Sequence, residues 1–302
     1  MTKFKFLISS FVSVCFMFFV AACETGPTKS HDSQLIQAKS STELKSTLPV
    51  IVEHTVVIDA RPPFEFALSH LNGSVNLRWE DFAQRTKPFR GLLDRDYFSL
   101  ASRLATYGIS PQTQVVVVGR GLRGEGEEGR LAWTFKVLGV QDVRFASIES
   151  FSLPRTKEEA PLRKNEALWK PVIDSTLTVD RDLFVKKVFK TSAKASQASV
   201  RVIDVRNEAE YLGKDSQSPY AHSAPDIGAI NIPWGQFFDT RGLTKLNLTA
   251  KLEAVGITKD QEIYVIDNQG VRSASVTLAL REMGFFRAAN FAGGYMELIE
   301  KK

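Results

Sequence analysis

Cysteine is almost missing from this chain. Two occur in 302 residues, Cys15 and Cys23, both near the start. Everything beyond residue 23 is therefore without a disulfide, a thiolate metal ligand or a thiol nucleophile. Histidine is scarce as well. His31, His54, His70 and His222 form no H-x-H or HExxH spacing; they read as surface or turn residues and no metal site is expected. No run of Lys and Arg interleaved with aromatics occurs. The formal net charge is +5, and +3 once Lys3 and Lys5 are set aside, so a nucleic-acid partner is not indicated. No cofactor motif is present either.

What is there begins with the N-terminus. A short basic start precedes seventeen uncharged residues, Phe6 to Ala22, which end in small side chains before Cys23. This is a secretory layout. Val20-Ala21-Ala22-Cys23 resembles the lipobox of bacterial lipoproteins, which implies cleavage before Cys23 and a diacylglycerol on its thiol. Residues 1–22 are then a signal peptide, Cys23 is the lipidation site and the membrane is a partner. Glu24 in place of aspartate favours the outer membrane over the periplasmic face of the inner one. An uncleaved anchor and a plain signal peptide are the alternatives, seventeen residues being at the lower limit of a span.

Residues 23–46 are Ser/Thr/Lys-rich and read as a flexible tether. Beyond them the chain repeats itself. "TVVIDARPPFEFALSHLNGSVNLRWEDF" (55–82) parallels "RVIDVRNEAEYLGKDSQSPYAHSAPDIGAINIPWGQFFD" (201–239), with Asp59 and Asp204 145 apart. "LASRLATYGISPQTQVVVVG" parallels "LTAKLEAVGITKDQEIYVID" at an offset of 148, and Gly139 and Gly284 are again 145 apart. The period is domain-sized, so this is a duplicated domain and not a solenoid. Runs such as Val115–Val118 and Ile263–Ile266 suit strands covered on both faces. Helical stretches at 98–107 and 248–255, closed by Gly108 and Gly256, alternate with them. The expectation is α/β: two domains, each a doubly wound, mainly parallel sheet flanked by helices, over 47–151 and 176–302. The proline-bearing stretch 152–175 is the expected linker.

In such sheets ligands sit beyond the carboxyl ends of the strands. In the second copy that place is Asp267-Asn268-Gln269-Gly270-Val271-Arg272, ahead of a helix expected at 273–283. Loop amides, a helix N-terminus and an arginine make an anion cradle. Here the sequence resembles the tandem-domain rhodanese family, over about residues 48–300. "VIDVRNEAEYLG", "GAINIPW", "YVIDNQGVRSAS" and "LREMGFFRAANFAGGYMEL" carry the resemblance, with "GEGEEGRLAW" similar to the first-domain loop. The resemblance implies sulfur transfer from thiosulfate or mercaptopyruvate through a persulfide on a Cys-x-x-Gly-x-Arg loop. Gly270 and Arg272 match that loop, and Asp267 stands at its cysteine position.

The donors that would stabilise a persulfide anion stabilise a carboxylate instead. Asp267 is thus expected to fill the anion site with its own side chain. The family pattern also places Arg206 and Glu210 at the pocket rim, with Glu210 where some thiosulfate-using members carry arginine. Gly119 aligns with the catalytic position of the first copy, and its acidic loop (Glu125, Glu127, Glu128) reads as mobile and solvated, with a metal or domain-contact loop as the alternative. Ser273 and Ser275 read as helix caps, Trp79 and Trp234 as matching core or interface residues, and the D-x-R pairs Asp59/Arg61 and Asp204/Arg206 as structural ties. The insertion 214–226 is turn-rich and rims the cradle. Three functions stay open: a non-catalytic envelope lipoprotein that binds or scaffolds an unidentified envelope protein, a thiosulfate/mercaptopyruvate sulfurtransferase, and a phosphatase-like enzyme with Asp267 as nucleophile.

Overall fold

The structure is a computed structural model that describes residues 46–158, 167–189, 200–218 and 224–300. The expected signal peptide 1–22, the lipidation site Cys23 and all but the end of the tether lie outside the described residues. So do His31, His222 and parts of the linker and of the 214–226 insertion. Among the described residues no helix is long and apolar enough to cross a membrane.

The first half runs β1 (Val56–Asp59), α1 (Pro63–Leu68), β2 (His70–Leu71), β3 (Val75–Asn76), α2 (Tyr97–Thr106), β4 (Val115–Gly119), α3 (Glu127–Val137), β5 (Val143–Ser147) and β6 (Arg155–Thr156). β1 and β4 are buried along their whole length, because branched apolar residues occupy both faces. Val56, Ile58, Val115 and Val117 enter one core with Leu104 and Trp133; Val57, Val116 and Val118 enter the other with Leu71 and Ile148. The sheet order is β3-β1-β4-β5, every pairing parallel. Asp96 caps α2 by accepting from the Ser99 amide at 3.0 Å, and Gly108 follows the helix at φ +76°.

The second half repeats this plan with α4 (Arg181–Val188), β7 (Val200–Asp204), α5 (Glu208–Tyr211), β8 (Ile230–Asn231), α6 (Thr249–Ala254), β9 (Glu262–Ile266), α7 (Arg272–Glu282), β10 (Ala288–Asn290) and α8 (Gly294–Leu298). Its order, β8-β7-β9-β10, is the first sheet's order and is again all parallel. Both sheets therefore aim their carboxyl ends at the loops after β4 and β9.

α3 and α7 join the halves. A methyl group on Gly129 would come 2.2 Å from the Ser275 hydroxyl, and that hydroxyl donates to the Gly126 carbonyl at 2.9 Å. The expected linker is not a free strand of chain. Arg155–Thr156 pairs antiparallel with His70–Leu71, and the Trp169 indole donates to the Ile109 carbonyl at 3.3 Å. His70, expected at the surface, is buried. It stacks on Phe66 at 3.8 Å, and its ring nitrogens face the Phe66 and Glu158 carbonyls at 2.8 and 3.0 Å. His54 is exposed.

Candidate functional site

The loop that follows β9 turns tightly because two neighbours leave it no other course. Gly270 takes φ +76°, and a Cβ there would meet the Ala292 carbonyl oxygen at 2.2 Å. The Asp267 carbonyl accepts from the Tyr295 amide at 2.9 Å, so α8 pins the start of the loop. The backbone then wraps the Asp267 side chain, which is 2% exposed. Oδ1 accepts from the amides of Gln269, at 3.0 Å, and of Gly270; Oδ2 accepts from the Arg272 amide at 2.8 Å. The Arg272 Nε lies 3.7 Å from Oδ2. An anion hole has formed, and the chain's own carboxylate is in it.

Arg272 faces outward from that hole onto Glu210. Its two terminal nitrogens donate to Glu210 Oε2 and Oε1 at 2.7 and 3.1 Å, a two-point fork. Asn268 Nδ2 donates to the same Oε1 at 2.7 Å. Glu210 is held in place as the far partner of a capping box: Asn207 Oδ1 accepts its amide at 2.8 Å. Burial works against the charge on Glu210, yet the Arg272 and Asn268 bonds carry its pKa below the usual carboxylate range. Burial likewise opposes the Arg272 charge, and Glu210 with Asp267 outweighs it, raising that pKa above the ordinary guanidinium value.

A cavity of about 430 Å³ opens over the loop. Glu125, Glu127, Glu210, Asp215 and Asp267 line it with Arg272 and Trp79. Five carboxylates thus face one guanidinium whose fork is already occupied, which leaves little attraction for an incoming oxyanion. Among the described residues no group of three or more His, Cys, Asp and Glu is placed to hold a metal.

Several residues sit elsewhere than the sequence suggested. Arg206 is not at the rim; it is 1% exposed, forks onto Asp204 at 2.7 Å and lies over the Tyr295 ring at 4.0 Å. Ser273 and Ser275 do not cap α7, whose N-cap is Val271. Ser273 Oγ donates to Asn290 Oδ1 at 2.6 Å and lies 3.2 Å from Asp267 Oδ1, whereas Ser275 reaches across to the first half. Trp79 joins the pocket wall, while Trp234 packs on Phe238. Asp59 and Arg61 form a tie like that of Asp204 and Arg206, at 2.7 Å.

Two buried charged residues beside the loops have partners that neither periodicity nor spacing signalled. Arg130 on α3 is fully buried, donating to the Gly270 carbonyl at 2.8 Å and the Gly91 carbonyl at 2.6 Å. It lies over Trp133 at 4.6 Å, and burial lowers its pKa to about 10. The first half thereby grips the second half's loop. Glu128, expected in a solvated loop, is 2% exposed and leans over Gly119, where a Cβ would meet its Oε2 at 2.3 Å. Its Oε1 accepts the Gly121 amide at 3.0 Å, and burial raises its pKa to about 8.

The sequence pattern of the Rhodanese-like domain matches residues 40–147 and again 189–301. The chain belongs to the rhodanese family. Similar proteins include the thiosulfate sulfurtransferase of Pseudomonas aeruginosa, 24% identical over 83% of this chain and 94% of that one. The thiosulfate sulfurtransferase of Bos taurus is 23% identical, over 78% of this chain and 80% of its own. Among solved structures, the 3-mercaptopyruvate sulfotransferase SseA of Escherichia coli superposes with a TM-score of 0.63 at 20% identity, covering 80% of this chain and 93% of that one. YnjE superposes at 0.65 with 20% identity over 80% of this chain, which spans 60% of YnjE's length. These likenesses establish two α/β rhodanese domains with mainly parallel sheets.

Proposed function

We propose that this rhodanese-like protein is a binding or scaffolding module of the bacterial cell envelope that does not transfer sulfur. One observation carries the reading: the Asp267 carboxylate is buried in the loop and takes the amides of Gln269, Gly270 and Arg272 for itself. By the family resemblance that position belongs to the cysteine that bears the persulfide, and the sequence has cysteine only at 15 and 23. A carboxylate cannot accept a sulfane sulfur, and the acidic wall of the pocket repels thiosulfate.

The alternative is a thiosulfate or mercaptopyruvate sulfurtransferase, favoured by the names of its relatives. The test is thiosulfate:cyanide transfer by the purified protein. No turnover is expected from the unmodified chain, and a trace from Asp267→Cys. Clear turnover by the unmodified chain refutes the proposal. A phosphatase-like role needs Asp267 to attack, and its oxygens are turned into the amides instead. For anchoring, the proposed lipid on Cys23 is tested by incorporation of labelled palmitate in a bacterial host, which Cys23→Ala should abolish.

A further inference from the structure

The two central helices have a cavity at each end. The one at their N-termini is the loop pocket described above. The other, about 560 Å³, lies at their C-terminal ends on the seam between the halves. Val140, Val143 and Phe145 of the first half and Leu243 and Leu278 of the second give it apolar walls. Its volume lies within the range of small-molecule sites, roughly 300–1,000 Å³.

The charges that face this space differ in what they already hold. Glu282 accepts from the Ser46 hydroxyl at 2.6 Å, and Asp174 accepts from the Thr176 amide and hydroxyl at 3.0 and 2.5 Å. Arg281 donates to the Ala288 carbonyl at 2.9 Å and to the Thr176 carbonyl. Lys136 occupies the equivalent position of α3, 145 residues earlier, and is less well served. Its ammonium has one acceptor, the Gln141 carbonyl at 3.2 Å, and no ion pair with another described residue. Two of its three N–H donors are therefore available. Arg144, at the mouth, is 3.8 Å from Asp142 and mostly exposed. Burial also draws the Lys136 pKa downward, against the opposing pull of Asp142 and Asp174.

We propose that this cavity binds a small amphipathic anion, a carboxylate or sulfonate on an apolar body, with Lys136 as the charge anchor. Lys136, Arg144 and Arg281 line it against Asp174 and Glu282, three positive charges to two negative, so the balance favours an anion over a cation. A neutral apolar molecule would fill the walls and leave the Lys136 donors unmet. An amphipathic anion satisfies both.

The site is distant from the Asp267 loop and independent of the function proposed for it. The test uses a pair of fluorescent probes on the full chain: 8-anilinonaphthalene-1-sulfonate and the uncharged N-phenyl-1-naphthylamine. The sulfonate should bind saturably at one site and be displaced by decanoate. Lys136→Gln should weaken it at least about tenfold while changing the neutral probe less than about twofold; Lys136→Arg should retain binding, and Asp267→Asn should leave it unchanged. Circular dichroism establishes that each variant is folded. Absence of saturable sulfonate binding, or equal affinity in the wild type and Lys136→Gln, overturns the proposal. If Lys136→Gln does not fold, the decision rests on the wild type: equal affinity for the two probes overturns the proposal, and at least about tenfold preference for the sulfonate supports it.

Discussion

The loops after β4 and β9 end equivalent strands and open equivalent helices, yet a buried carboxyl reaches them from opposite sides. In the second half the carboxylate comes from the loop's first position, Asp267, and three backbone amides meet it. In the first half that position is Gly119, and the carboxyl comes from Glu128, the second residue of α3, reaching back over the glycine. Ser273, the counterpart of Glu128 on α7, is small and leaves Asp267 its room. The two carboxyls are not equally well served. Glu128 Oε1 has the Gly121 amide, but its Oε2 is buried with no partner, and burial raises the pKa to about 8. The lesson is that a carboxyl buried at a strand end is well satisfied only where the loop backbone wraps it, as three amides do around Asp267 and one does at Glu128.

That contrast can be broken experimentally, beginning where the effect is largest. The Glu128 pKa rises from 4.5 unfolded to about 8 folded. The folded state therefore holds the extra proton, and this group's contribution is fully present below about pH 4.5 and lost as pH climbs through about 8. At about 1.4 kcal/mol per unit the loss is on the order of several kcal/mol. Urea midpoints at pH 5 and pH 9 should show the wild type losing stability relative to Glu128→Gln; parallel profiles would mean that the Glu128 carboxyl is wet. Next, Arg272→Met strands Glu210 and Asp267 without their cation and should cost about 3–5 kcal/mol in chemical denaturation. Asp267→Asn removes charge-assisted bonds and should cost about 1–3 kcal/mol, while an unchanged midpoint would mean that the side chain points into water. Least of all, Ser273→Ala should cost about 0.5–1.5 kcal/mol, showing that the helix contributes little to a hole the loop fills by itself.

Much of this was legible in the sequence. The duplication, the buried strands and the strand-loop-helix around Asp267 follow from short-range pattern, because β-branched runs, helix-ending glycines and D-x-R pairs act within a few residues of themselves. The helix expected at 273–283 forms at 272–282, and Gly108 and Gly256 do take positive φ. Where the pattern misled, the partner was remote. His70 is covered by Phe66 and by the chain near Glu158, Arg206 is drawn under Tyr295, and Arg130 meets a carbonyl 140 residues away. An arginine inside a helix buried on nearly every face gives no periodic sign of what it holds.

By itself, then, the sequence determined that there are two like domains, that Asp267 opens the loop at the second copy's strand end, and that no thiol stands in either loop. Local chemistry suffices for these, since each depends on neighbours in the chain. Only the tertiary structure decided what meets these loops: that Glu128 folds back over Gly119, that Glu210 takes the Arg272 fork, and that the first half clamps the second half's loop through Arg130. Those outcomes depend on desolvation and on donors brought together from distant segments, and such forces exist only once the halves have packed.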